Sequence, residues 1–333
     1  MDLSIIIVNW NSAAYCADCL ASIYASNIRV SFEVIVIDNA SYDGCDRMLE
    51  SFFPEVRYIQ GRNNAGFARA NNQAFTGSTG EKLCFLNPDT KIRGAALQTL
   101  YDSLEKIPTA GAVGALLFNG DGTLQTSCVL PFPTVLNQAF DMEWLRKRFP
   151  LAKLFGARAI FSKIKGPQAV EAVSGACIMM FRKTFIDIGM FSPEYFMYAE
   201  DIDLCHKIRM TGKKVFLINE AEITHFGGGS SKDQKIFFGA ILLRESNYRL
   251  LRKFRGYGYA LLYRISLGGM GMIRIAGLLL CLAPATVTGH GHSVFMILKR
   301  WWQLLKWSVG FNQIPVTNIQ AASPLKIPGN TLA

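Results

Sequence analysis

The chain has 333 residues, half of them hydrophobic, which is enough to bury one large core or two modest ones. Its formal net charge of +10 is regional: eleven basic residues and one acid, Glu245, fall from Ile236 onward, while the first 235 residues hold 24 of each sign. That basic tail is rich in Leu, Ile, Phe and Gly, a mixture that suits lipid better than a nucleic-acid phosphate groove, so no nucleic-acid partner is expected.

In chain order, Leu3–Val8 is a continuous apolar run, too short for a signal peptide, and is predicted to be a strand. Tyr15–Ser26 has helical spacing, and the lone CxxC it contains, Cys16 and Cys19, lacks the partners of a zinc site. Phe32–Ile37, Val56–Gln60 and Lys82–Leu86 read as further strands, with a helix over Phe67–Phe75. This alternation predicts a largely parallel sheet, whose ligands bind beyond the carboxyl ends of its strands. The polar residues at those ends are Asn9-Trp10-Asn11, Asp38-Asn39 and Asn87-Pro88-Asp89.

After the turn at Asn119–Gly122 the pattern blurs. Residues 131–170 carry a basic knot (Arg146, Lys147, Arg148, Lys153, Arg158, Lys163, Lys165) among Trp144, Phe149, Phe155 and Phe161. Val173–Phe181 is strand-like. Asp201–Met210 is a short helix with Gly212 as its stop, and Val215–Ile218 is a strand. Lys235–Arg255 has the spacing of a basic amphipathic helix. Tyr257–Leu282 is apolar but contains Arg264 and Arg274, each costing roughly 2.5–3.5 kcal/mol at a bilayer centre. Ile275–Leu298 lacks Lys, Arg, Asp and Glu. Helices lying in the membrane interface are expected, with a re-entrant hairpin or single span as the alternative.

Several motifs are decoys. Gly61–Gly66 has P-loop glycine spacing without the Lys-Ser/Thr pair, and the first strand does not run into GxGxxG. Asp201 and Asp203 begin like an EF-hand, but the later ligands are absent.

The segments SIIIVNWNS (Ser4–Ser12), VIVIDNASYDG (Val34–Gly44), NNAGFARANNQA (Asn63–Ala74), FLNPDT (Phe85–Thr90), VSGACIMMFR (Val173–Arg182), FMYAEDIDLCHKIRMTG (Phe196–Gly212) and ITHFGGGS (Ile223–Ser230) occur in a telling order. Over about the first 250 residues the chain resembles glycosyltransferase family 2, in particular its rhamnosyltransferase-like, non-processive bacterial members. The resemblance implies an α/β, Rossmann-like GT-A fold over residues 1–235, followed by a basic, apolar helical membrane-association region over 236–333. It also implies a nucleotide-sugar donor (dTDP- or UDP-linked), a divalent metal (Mg²⁺ or Mn²⁺) and inversion at the anomeric carbon.

By that resemblance, Asp38 contacts the nucleotide, and Asn9, Asn11, Asn39, Asn64 and Gly66 belong to the donor site. Arg69 is either a donor contact or an exposed helical arginine. Asn87-Pro88-Asp89 stands where the family has DxD, so Asp89 is the main metal carboxylate, with Asn87 and His225 completing the set. Asp201 is the base that takes the acceptor's proton, Glu200 orients or shares that role, and Asp203 is structural. Tyr195, Phe196 and Tyr198 form an acceptor wall or pack on the sheet. The implied acceptor is a polyprenyl-diphosphate-linked glycan at the cytoplasmic face of an anionic membrane. A processive synthase is disfavoured because Ile297 stands where its Gln-x-x-Arg-Trp motif needs Gln. A non-catalytic membrane adaptor is the rival from another class.

Overall fold

The computed structural model describes residues 1–140, 148, 166–227, 236–287 and 291–311. Arg146, Lys147, Lys153, Arg158, Lys163, Lys165 and the Gly228-Gly229-Ser230 run lie outside the described residues.

Strands β1 (Leu3–Asn9), β2 (Phe32–Asp38), β3 (Arg57–Gln60) and β4 (Lys82–Leu86) are parallel, with β1 between β2 and β4. β1 and β4 are buried along their whole length, as continuous apolar runs in a doubly covered sheet should be. Helices α1 (Ala13–Tyr24), α2 (Cys45–Phe52) and α3 (Phe67–Phe75) connect them, and β5 (Thr90–Ile92) and α4 (Ala96–Lys106) follow.

Among the described residues nine strands form one sheet, in the order β3-β2-β1-β4-β10-β6-β11-β5 with β8 beside β11. Here β6 is Ala110–Phe118, β8 Pro167–Val170, β10 Cys177–Phe181 and β11 Lys214–His225. β10 is antiparallel to both β4 and β6, while β11 is parallel to β6. A two-stranded sheet pairs β7 (Val129–Leu130) with β9 (Ala172–Val173).

Two expectations change. The strand-like Val173–Phe181 is two strands, because the chain turns at Ser174–Ala176 between β9 and β10. Val215–Ile218 and Ile223–His225 belong to the single strand β11, whose pairing with β6 slips between Ile218 and Glu222. The uncharged stretch Ile275–Leu298 takes in the end of one described helix, Tyr257–Val287, and the start of another, Gly291–Ser308.

α5 (Val135–Ala139) and α6 (Arg182–Asp187) precede α7 (Glu200–Met210), and α8 (Ile236–Arg255), α9 (Tyr257–Val287) and α10 (Gly291–Ser308) form the tail. The tail shares a second apolar core with earlier segments: Phe132, Tyr195 and Ala199 pack with Leu250, Leu251, Tyr263, Leu267, Leu304 and Trp307. Three of the cations of α8 bond to protein groups, while Arg252 and Arg255 are exposed. Lys253 Nζ donates to Asp203 Oδ1, Glu194 Oε1 and Ser192 Oγ, each at 2.8 Å. Arg249 Nη1 donates to the Glu194 carbonyl at 3.0 Å, and Arg244 Nη1 to Gln138 Oε1 at 2.6 Å. Trp307, fully buried, donates from Nε1 to Glu245 Oε2 at 3.0 Å.

The two arginines of the apolar tail also face protein. Arg264 donates to the Trp307 carbonyl at 2.7 Å and lies over the Trp307 and Tyr248 rings. Arg274 lies over the Trp301 ring at 4.3 Å. α9 and α10 leave many apolar side chains outside, Leu262, Ile265, Met272, Ile273, Leu280 and Phe295 being all more than half exposed, beside the exposed His292, Lys299 and Arg300. The segment Tyr257–Leu280 is long and apolar enough to cross a membrane.

Candidate active site

Register places the first part of the site. Asn9 and Asp38 are Cα partners at the ends of β1 and β2, and Gln60 is paired with Asp38 from β3. Asp38 is fully buried. Its Oδ1 accepts from Asn9 Nδ2 at 2.9 Å and from Ser41 Oγ, and its Oδ2 from Ser41 N, Tyr42 N and Gln60 Nε2 at 2.9–3.2 Å. A carboxylate so occupied organises the turn after β2; it does not face an open cleft. Asn9 adds Asp43 as a second partner at 3.1 Å, and Ser12 Oγ donates to its Oδ1 at 2.9 Å.

The next shell is built by asparagines. Asn39 Nδ2 donates to Asn64 Oδ1 at 2.8 Å, and Asn39 Oδ1 accepts from Ala65 N at 2.9 Å. Asn64 Oδ1 also accepts from Gly66 N. Gly66 has φ +83°, and a Cβ there would sit 2.4 Å from the Phe196 carbonyl oxygen, so this position requires glycine. Phe67 N then donates to that carbonyl at 2.8 Å. Helix α3 continues the seam: Arg69 Nε donates to the Pro193 carbonyl, and Asn72 exchanges hydrogen bonds with the Phe191 backbone. Arg69 thus fastens the 191–196 segment. Asn11 is exposed, with φ +51°.

Asn87, Asp89 and His225 converge. His225 Nε2 is 3.3 Å from Asp89 Oδ1 and 3.4 Å from Asn87 Nδ2. His225 Nδ1 lies 2.8 Å from Gln125 Oε1, an atom that only accepts, so the ring proton is assigned to Nδ1 and the Nε2 lone pair faces Asp89. Two electron-rich atoms 3.3 Å apart favour a cation between them. An oxygen-plus-imidazole set fits Mn²⁺ or Mg²⁺ supplemented by diphosphate oxygens. Among the described residues no group of three or more His, Cys, Asp and Glu side chains could hold a metal; a third donor from Asn87 would have to be its Oδ1, since the atom facing His225 is Nδ2. Sequence reasoning missed Gln125, for which the only cue was that a liganding histidine needs a partner on its other nitrogen.

The carboxylates sit at the start of α7. Tyr198 and Ala199, at φ +70° and +65°, turn the chain sharply into it, a costly conformation for non-glycine residues. Asp201 Oδ2 accepts from Gly175 N at 2.9 Å, and Oδ1 from Ile202 N at 2.8 Å. Ala176, next to Gly175, accepts at its carbonyl from Asn87 N at 3.0 Å. The Ser174–Ala176 turn therefore joins the metal-side loop to Asp201, a role the VSGACIMMFR motif did not disclose.

Burial pushes the Asp201 carboxyl above its ordinary value, and the Gly175 and Ile202 N–H groups hold it back. Burial first, and the Asp201 charge second, push Glu200 well above the carboxylate range. Glu200 Oε2 is buried without a hydrogen-bond partner. Both carboxyls are therefore pushed toward the protonated form, Glu200 more strongly than Asp201. Asp203 is a third case: fully buried, it accepts from Ser192, Tyr195 and Lys253 and pairs with Lys207. Tyr195 is buried in the second core, whereas Tyr198 is exposed beside Glu200.

The family model described as Glycosyl transferase family 2 matches residues 4–189. The chain is 25% identical over 238 residues to an N-acetylglucosaminyl-diphospho-decaprenol L-rhamnosyltransferase of Mycobacterium tuberculosis, covering 67% of this chain and 75% of that protein. Among solved structures it is similar to the mannosyltransferase PcManGT of Pyrobaculum calidifontis in complex with GDP-Man and Mn²⁺ (TM-score 0.54, 17% identity, 92% of this chain and 84% of that one). It is also similar to GalNAc-T7 with UDP, GalNAc and Mn²⁺ (TM-score 0.55, 15% identity, 76% of this chain); it spans about half of that protein, 48%. These likenesses carry the fold, which is GT-A.

Proposed function

This chain belongs to glycosyl transferase family 2 and is a glycosyltransferase, and we propose that it inverts configuration while moving a sugar, L-rhamnose from a dTDP donor as the best reading, onto a polyprenyl-diphosphate-linked glycan. The observation that carries this reading is the Ser174–Ala176 turn. It holds Asp201 through Gly175 N and the Asn87–Asp89 loop through the Ala176 carbonyl, so base and leaving-group ends share one rigid connection. The Mycobacterium tuberculosis protein's name supports both the sugar and the lipid-linked acceptor.

Asp89, Asn87 and His225 would hold a divalent ion, whose chemistry is to neutralise the diphosphate as it departs. Asp201, ionised, takes the proton of the acceptor hydroxyl as that oxygen bonds to the anomeric carbon and the carbon–oxygen bond to the diphosphate breaks. Glu200, holding its proton, donates a hydrogen bond to sugar oxygens without competing as a base. Asn9, Asp38, Asn39 and Asn64 shape the loops around the nucleotide. The apolar outer face of α9 and α10 rests in the cytoplasmic face of the membrane, where the acceptor's chain is anchored.

The test uses purified full-length chain with dTDP-, UDP- and GDP-sugars, with and without Mn²⁺ or Mg²⁺, and an N-acetylglucosaminyl-diphospho-polyprenol acceptor. A ligand at a hundred times its dissociation constant stabilises the fold by roughly 2.7 kcal/mol. Metal-dependent stabilisation by one nucleotide, followed by a product of inverted anomeric configuration, is expected. No stabilisation by any nucleotide in folded protein would overturn the reading, as would retained configuration.

A further inference from the structure

The described residues line an open cavity of about 810 Å³ beside the second half of α7. Four cations line it: Arg209 at the end of α7, Lys213 and Lys214 leading into β11, and Arg255 at the end of α8. One acid, Glu171, also lines it, and accepts from Phe132 N at 2.8 Å. Lys213 Nζ donates to Thr184 Oγ1 at 3.0 Å. Among the described residues none of the four cations has a carboxylate within ion-pair distance. The rest of the wall is mostly apolar, including Phe132, Leu130, Leu136 and Met210. The His206 ring packs on Phe132 and Phe254 there, and its Nδ1 is buried without a partner.

The cations of the cavity are set apart from the reacting groups. Lys214 begins β11 and His225 ends it, twelve residues of extended chain, so the two lie on the order of 30 Å apart. Arg209 is likewise at the far end of α7 from Asp201, roughly 12 Å along the helix axis. The cavity does adjoin the membrane element: Arg255 is followed at once by Gly256 and by α9, whose exposed face opens with Tyr257, Leu261, Leu262 and Ile265.

A concave site with four unneutralised cations and apolar walls, at the root of an apolar helix, complements a molecule with an anionic head and a hydrocarbon tail. We propose that this cavity binds the phosphate headgroup of an anionic membrane phospholipid while the outer face of α9 meets its acyl chains. The proposal rests on the membrane reading above and adds to it a headgroup preference set by four named side chains.

The experiment is flotation of the full-length chain with phosphatidylcholine vesicles, with and without phosphatidylglycerol. The wild type should bind both, and more tightly with phosphatidylglycerol. Each cation near an anionic surface contributes roughly fivefold, so Arg209→Gln with Lys214→Gln should lose about tenfold or more of that gain and keep its binding to neutral vesicles. Arg47→Gln with Lys106→Gln, the same charge change on exposed positions of α2 and α4, should keep the gain. Equal loss in both pairs, or loss in neither, overturns the proposal. Wild-type protein that floats with no vesicle at all overturns the membrane reading itself. If the cavity pair keeps the phosphatidylglycerol gain but loses thermal protection by a short-chain isoprenyl diphosphate, the site serves the acceptor and the proposal falls. Arg209 and Lys214 are exposed, so an unchanged melting temperature will show that the variants fold.

Discussion

The donor side and the tail solve the same problem, holding polar groups still, by opposite means. On the donor side, backbone register does the work: in-register parallel strands set Asn9, Asp38 and Gln60 side by side, and asparagine bridges carry the pattern outward to Gly66. In the tail, charge does the work. Lys253 reaches Asp203, Arg249 reaches the Glu194 carbonyl, and Glu245 receives Trp307. The difference teaches that basic residues on an amphipathic helix are no measure of its charge toward solvent or lipid. A cation that ties a buried carboxylate is spent inside the fold.

The comparison is broken most severely where the two sides meet. Asp201→Asn should reduce transfer by ~10²–10⁴-fold, as expected for a lost general base, while the nucleotide still raises the melting temperature. Near-normal turnover would move the base elsewhere. Trp307→Ala empties a fully buried site in the second core and should cost about 3–5 kcal/mol in denaturant unfolding. If tail and sheet are one cooperative unit, that loss appears in a single transition followed by any probe; two separated transitions would show independent cores.

A sharper test lies on the metal side. Gln125→Leu removes the acceptor for His225 Nδ1 and should weaken Mn²⁺ binding, read by its electron paramagnetic signal, about 10–100-fold. Gln125→Glu, which still accepts that proton, should restore most of it; a purely structural role would leave Mn²⁺ binding unmoved in both. The smallest effect concerns Glu200. Its folded-state pKa is raised, so its contribution to stability is present at low pH and is lost as pH rises toward that pKa. Glu200→Gln should therefore raise the melting temperature by a few degrees at neutral and higher pH, with a difference that shrinks in acid. The raised pKa of Asp201 has a kinetic counterpart: the acid limb of the wild-type pH–rate profile should lie above the usual aspartate range, because the base works only when ionised.

What the sequence disclosed follows the same division. Apolar runs such as Leu3–Val8 and Lys82–Leu86 end in polar residues, and a parallel sheet has one obvious place for such ends, so the donor loops were legible. β6 was not, because its alanines and glycines lack strand propensity; Gly114 is there to let Val173 approach, since a Cβ would lie 2.6 Å from it. Helical period in the tail showed which residues share a face, yet not that Arg264 and Arg274 face Trp307 and Trp301. Gln125 follows no period and belongs to no motif. Its importance exists only once β11 has brought His225 beside it.

The burial of Trp307 against Glu245 also bears on the order in which this protein is made. The Phe191–Ala199 segment is locked from one side by α3, early in the chain, and from the other by α8, which is itself fastened by the last described helix. A ribosome can finish the parallel sheet long before it supplies α10. Until the tail is supplied, Asp203 lacks Lys253 and Glu245 lacks Trp307. The segment that leads into α7 and the helices that carry the apolar face are thus joined through shared packing, and neither can be moved without the other.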